Sequence, residues 1–242
     1  MKISAAMVKA LRERTGSGMM ECKRALTAAE GDLELAVDQM RKAGLAKADK
    51  KSGRIAAEGT IGVKVSDDGK TVAMVDVNCE TDFVSKGDEF KSFAAAVADA
   101  VLLADGETVD DINALGLANG QTVDGVRREM IAKLGENITV RRVKKFASQG
   151  GTACYLHGSR IGVIVELQKA DAALGKDIAM HVAATKPFCV GEENVPAEMI
   201  AKEKDIFSAQ AAESGKPAAI IEKMVTGRIK KYLAEVTLLG QA

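Results

Sequence analysis

The chain has 242 residues, enough to bury a sizeable core as one large domain or two modest ones, which excludes a small stapled scaffold. Apolar residues make up 47% and charged residues 28%, with 34 basic side chains against 34 acidic, so neither a disordered tail nor a polyanion binder fits. Aromatics are only 3% and tryptophan is absent, which argues against a module that stacks on nucleobases.

The opening Met1-Lys2-Ile3-Ser4 enters an amphipathic pattern without the apolar stretch and small-residue cleavage site of a signal peptide. No segment approaches membrane-spanning length, and the chain reads as soluble and cytoplasmic. Within residues 1–44 three helical patterns follow one another. The first carries Ile3, Met7, Val8 and Leu11 on one face with Ser4 placed as N-cap, and Thr15-Gly16-Ser17-Gly18 breaks it. The second runs from Met19 to Ala29 and stops at Gly31. Asp32 caps the third, in which Leu33, Val37 and Met40 recur at helical spacing before Gly44. These elements predict a three-helix domain over 1–44. Residues 45–58 read as a linker, because Leu45 to Gly53 is polar, basic and aperiodic.

From Thr60 the period changes to two. Ile61, Val63 and Val65 alternate with smaller or polar residues, Asp67-Asp68-Gly69 turns the chain, and Val75 and Val77 continue, which predicts a β-hairpin. Past Thr81-Asp82-Phe83-Val84 the helical period returns with Phe90, Phe93, Ala94, Val97 and Val101. Thr152 to His157, the turn Gly158-Ser159-Arg160, the strand Ile161 to Leu167 and a helix with Leu174, Ile178 and Val182 repeat that plan. Between the copies lie a helix, Val123 to Leu134, and a β-branched strand, Ile138 to Phe146. The expectation is an α+β core made of a duplicated hairpin–helix unit, 59–137 and 138–187. Lys186-Pro187 ends the last core helix. Residues 188–232 hold two helical runs broken at Gly215-Lys216-Pro217, which predicts an antiparallel helical coiled-coil hairpin. Residues 233–242 read as a return strand over 233–239 followed by an abrupt, truncated end at Ala242.

No Walker A loop, no HExxH and only two histidines, His157 and His181, leave no nucleotide site, zinc site or histidine triad. The four cysteines, Cys22, Cys79, Cys154 and Cys189, form no CxxC pair and read as buried free thiols. No catalytic residue, cofactor or metal of the chain's own is expected. A few positions keep two readings each. Phe83 is either a helix-entry packing residue or an exposed anchor, and Asp82 either a cap or a functional carboxylate. Met19 and Met20 are either core or a partner-binding face, and His157 either a satisfied turn histidine or a contact.

These positions carry a family resemblance. "LRERTGSGMMECKRAL" at 11–26 is similar to the signature of the elongation factor Ts family, joined in order by "VNCETDFVSKGDEF" at 77–90, "HGSRIGV" at 157–163, "HVAATKP" at 181–187 and "EKMVTGRIKKYLAEVTLLGQ" at 222–241. The resemblance implies an N-terminal ubiquitin-associated-like helical domain, a duplicated α+β core and a protruding antiparallel coiled coil. It implies a guanine-nucleotide exchange factor for elongation factor Tu in translation elongation, not an enzyme. Such a protein has no cofactor, nucleic acid, membrane or small-molecule substrate of its own and acts on the Mg²⁺-GDP held by its partner. By the same resemblance Phe83 wedges between partner helices and Asp82, in the turn Thr81 to Val84, disturbs the support of the metal. His157 contacts the partner elsewhere, and Arg12, Met19 and Met20 grip a helix of its nucleotide domain. Family chains run on past Leu238-Leu239-Gly240-Gln241, where this one stops. The rival reading is a helical-domain scaffold that binds proteins without exchange activity and tolerates loss of Phe83.

Overall fold

The computed structural model describes residues 3–104 and 108–242, and the backbone alone of 45–47. Met1 and Lys2 of the opening segment lie outside the described residues. The architecture is mixed α+β, with N-terminal helices, two small antiparallel sheets and a C-terminal helix pair. It divides into two compact units, Met1–Gly175 and Lys176–Ala242.

Helices α1 (Ala5–Thr15) and α3 (Leu33–Lys51) begin where the capping residues place them, and α2 (Met19–Ala28) begins after Gly18 without a side-chain cap. The Ser4 hydroxyl accepts from the Met7 N–H, and the Asp32 carboxylate from the Leu35 N–H. Gly16, left-handed at φ 66°, closes α1. Val8, Leu11, Cys22, Leu26, Ala29 and Ala36 form a small buried cluster, with Ile3, Met7, Leu33, Val37 and Met40 against it.

Gly44, read from the sequence as the end of the third helix, lies inside α3 instead. There α3 meets α7 (Val123–Leu134), and a Cβ on Gly44 would stand 3.1 Å from the Ala132 Cβ. One turn further, Ala48 enters the main core. The glycine therefore serves close helix–helix approach, and Asp49 and Lys50 after it lie on the solvated side of the helix. Only residues 52–57 connect α3 to the first strand.

Strands β1 (Glu58–Val65) and β2 (Thr71–Cys79) pair antiparallel across the Asp67-Asp68-Gly69 turn. Strand β3 (Thr139–Ala147) adds to the free edge of β2, with a bulge at Asp76/Val77. A single turn of helix, α4 (Asp82–Ser85), leads into α5 (Asp88–Leu103), whose Phe90, Phe93, Ala94, Val97 and Val101 cover the sheet residues Val75, Val77 and Cys79. Helices α6 (Val109–Ala114) and α7 complete this core through Ile112, Val123, Met130 and Ile131. The second sheet is the hairpin β4 (Gly151–His157) and β5 (Ile161–Leu167). It lies so close to the first that a Cβ on Gly162 would stand within 3 Å of Met74 and Ile61. Helix α8 (Ala172–Thr185) follows.

In the second unit, α9 (Ala197–Ala212) and α10 (Ala218–Val236) are joined through Gly215, left-handed at φ 65°. They run antiparallel: Arg228 lies over the Phe207 ring and donates to the Gln210 amide oxygen at 2.9 Å. The expected return strand over 233–239 differs in the structure, because α10 continues to Val236. Leu233-Ala234-Glu235 are helix formers, and Lys231 pairs with Glu235 one turn on at 3.7 Å. Only Thr237 bridges Cys189, with the Leu238 and Leu239 amides donating to the carbonyls of Cys189 and Val190. The Gln241 side chain reaches His181 and Thr185, both at 2.9 Å. All four cysteines are free thiols; Cys22 and Cys79 are buried as expected, whereas Cys154 and Cys189 are only part-buried.

Candidate partner-binding site

Strand β2 ends on Cys79, and the next two residues are fixed from outside the strand. Thr81 is the N-cap of α4, its hydroxyl accepting from the Val84 N–H. The same hydroxyl donates to Glu136 at 2.6 Å, and the Thr81 N–H donates to the other oxygen of that carboxylate at 3.0 Å. Glu80 accepts from the Asn137 N–H at 2.7 Å. The Cys79 thiol donates to the Thr81 carbonyl, and burial, helped by the negative Glu136, pushes it up to about 11.

On that support Phe83 stands 88% exposed. Of its two sequence readings the structure removes packing, since the core position on this turn is taken by Val84, which lies against the main core. Asp82 is exposed too, and it is Thr81 that caps the turn. The Asp82 carboxylate receives Lys86 Nζ at 2.6 Å, one helical turn on. That hydrogen bond, the Lys86 charge and then the more distant Arg160 hold the Asp82 carboxyl below its usual range. Arg160 itself pairs with Glu58, and the Ser159 carbonyl accepts from the Ile61 N–H at 2.8 Å. The turn after His157 is thereby tied to β1, and Arg160 lies close enough for its charge to act on Asp82. His157 is exposed at the end of β4, with its Nδ1 3.1 Å from the Tyr155 hydroxyl.

Arg12, Met19 and Met20 occupy another part of the unit, on α1 and the first turn of α2. Met19 is 46% and Met20 67% exposed, so neither belongs to the small helical core. No hydrogen bond or ion pair among the described residues joins them to the 81–84 turn. Both groups border α7: Gly16 approaches the Lys133 side chain, Lys133 pairs with Glu89 in the first turn of α5, and Glu136 just beyond holds Thr81. Glu136, Asn137 and Lys86 support the turn without having been singled out in the sequence, as does Arg160, which the sequence placed only as a turn residue, and Glu80, which it raised only as a carboxylate beside Asp82. Only Lys86 had a local signal, its i,i+4 spacing from Asp82.

The arrangement presents an apolar ring beside a carboxylate on a braced turn and offers no reacting group. Among the described residues no set of three His, Cys, Asp or Glu side chains is placed to hold a metal ion, and no helix is long and apolar enough to cross a membrane. A cavity of about 710 Å³ between the N-terminal helices and α7 is lined by Arg14, Arg41, Arg128 and Lys133. Each of these already has an acidic partner, Glu34, Glu129, Asp124 and Glu89 respectively.

Comparison with known proteins gives one family. A family model described as elongation factor TS matches residues 80–242. The elongation factor Ts of Methylococcus capsulatus is 66% identical over 242 residues, covering all of this chain and 83% of that protein. Those of Thioalkalivibrio sulfidiphilus and Halorhodospira halophila are 58% and 55% identical over the whole chain and over 83% and 82% of their own lengths.

Proposed function

This chain belongs to the elongation factor Ts family, nucleotide exchange factors for elongation factor Tu in translation elongation and not enzymes, and we propose that it speeds GDP release with the Thr81–Val84 turn. Phe83 enters between helices of the partner, and Asp82 disturbs the groups that support the partner's Mg²⁺. One observation carries this reading: a phenylalanine 88% exposed on a turn held by the Glu136 carboxylate from a distant helix end. An exposed aromatic ring on a braced backbone is an anchor that loses little entropy on burial. His157 makes a second contact from the turn tied to β1, and Arg12, Met19 and Met20 a third. The exposure of both methionines supports that role, since flexible apolar side chains suit a partner's surface.

The three-helix group is read as the ubiquitin-associated-like domain, the two hairpin–helix units as copies of one plan, and α9–α10 as the coiled coil. The nucleotide and metal belong to the partner, and the site of action is the cytoplasm, where elongation takes place. Linkage sets the size of the effect. A factor that weakens GDP binding about a hundredfold must be weakened by GDP to the same degree, a coupling of roughly 2.7 kcal/mol. The test is release of a fluorescent GDP analogue from elongation factor Tu at fixed Mg²⁺, with and without this protein. Acceleration that saturates with factor concentration is expected. Binding to the partner without acceleration would return the assignment to a helical-domain scaffold.

A further inference from the structure

Two consecutive residues just past α7 and two consecutive residues just before α4 hold each other reciprocally. The Glu136 carboxylate accepts both the N–H and the hydroxyl of Thr81, while the Glu80 carboxylate accepts the N–H of Asn137. Asn137 Nδ2 donates onward to the carbonyls of Ser52 at 3.3 Å and Arg54 at 2.8 Å, so the same clasp takes in the chain leaving α3. Helix α4 is one turn of four residues, too short to persist by itself. Its rigidity must come from groups outside it.

We propose that Glu136 is a positioning residue of the exchange site, fixing the direction in which Phe83 leaves the surface. The inference rests on the reading of Phe83 as the wedge, and it follows from where one proton goes. The Thr81 hydroxyl has a single proton, and an ionised carboxylate only accepts, so the proton points to Glu136. The hydroxyl lone pairs are then left to the Val84 N–H, which they cap. The backbone at Phe83 is thus held between the clasp on its N-terminal side and the Asp82–Lys86 pair on the other. Without Glu136 the hydroxyl is free to rotate, α4 frays, and the ring samples directions that do not fit a partner cleft.

The test uses the full chain with Glu136→Ala, Glu136→Gln and the double variant Glu136→Ala/Phe83→Ala, each checked for an unchanged melting transition. Glu136→Ala is expected to lower the maximal rate of GDP release about tenfold while the half-saturating factor concentration moves less than about twofold. Glu136→Gln, with one acceptor for two donors, falls between. On the Phe83→Ala background the loss of Glu136 costs nothing further, because both act through one ring. Additive losses, or a change confined to half-saturation, overturn the proposal. A partner-free readout separates this idea from the functional one. In Glu136→Ala the Thr81 and Val84 amides should exchange with solvent about tenfold faster while β2 amides do not change. Unchanged exchange at those two amides overturns the clasp even where the parent protein speeds release. A parent that fails to speed release while these amides still respond overturns the functional reading and leaves the clasp standing.

Discussion

Replacing Phe83 by alanine separates stability from function because of where the ring sits. At 88% exposure the side chain gives almost nothing to the fold, so Phe83→Ala should alter unfolding free energy by no more than about 0.5 kcal/mol. The same exposure means that nearly its whole apolar surface is available to a partner. Full burial of a phenylalanine is worth about 1.5–3 kcal/mol. If that energy is realised only in the complex that releases GDP, the variant should be slower by about 10- to 150-fold, at 1.36 kcal/mol per factor of ten. The assay is stopped-flow release of a fluorescent GDP analogue from elongation factor Tu over a range of factor concentrations, beside a thermal melt. Release within about twofold of the parent would refute the wedge and move the mechanism to Asp82, His157 or the helical group. A lowered melting temperature would show that the ring supports the fold, against the geometry.

Gly44→Val places two extra methyl groups where a Cβ alone already comes within 3.1 Å of Ala132, so a loss of about 1–3 kcal/mol in chemical denaturation is expected despite the better helix propensity of valine over glycine. Asp82 should titrate by NMR below its ordinary value of 3.8, and Lys86→Ala should bring it back up. With a lowered folded pKa, whatever the pair adds to stability is present above the ordinary aspartate range and is lost as the pH falls through the lowered value. Cys79, pushed up to about 11, should resist alkylation at pH 8 in the native protein and react once the chain is unfolded. Its raised pKa makes that contribution to stability run the other way, present below about 9 and lost as the pH rises towards 11.

Elements whose signals are local were legible in the sequence. The caps at Ser4 and Asp32, the Asp67-Asp68-Gly69 turn, the apolar stripe from Phe90 to Val101 and the Gly215 break all depend on residues within a few positions of each other, and each lies where its pattern puts it. Gly44 misled because a glycine has the same sequence signature whether it ends a helix or lets another helix come close; Ala132, nearly ninety positions on, decides between the two. The tail after Tyr232 misled for a related reason. Leu-Ala-Glu-Val carries no strand alternation, and its helical continuation is settled by the Lys231–Glu235 spacing together with the pairing of residues 237–239 to the 188–190 segment.

The candidate site divides along the same line. Which residues to suspect was visible, since a Thr-Asp-Phe-Val turn between a strand and a helix has to put its aromatic ring somewhere. Whether the ring packs or projects was not, because the core place beside it is filled by Val84 only once α5 lies on the sheet. What makes an exposed ring useful lies further away still. A ring on a fraying turn would pay its ordering entropy at every encounter, whereas one fixed in advance does not. The fixing comes from Glu136, fifty-five positions from Thr81, and from Asn137, fifty-seven from Glu80. Neither carboxylate has a periodicity or motif that links it to the other. Both ends of the clasp follow regular elements, β2 and α7, whose lengths bring them to the same place. A change of one residue in either length would therefore release the Thr81–Val84 turn while leaving every motif residue in the sequence intact.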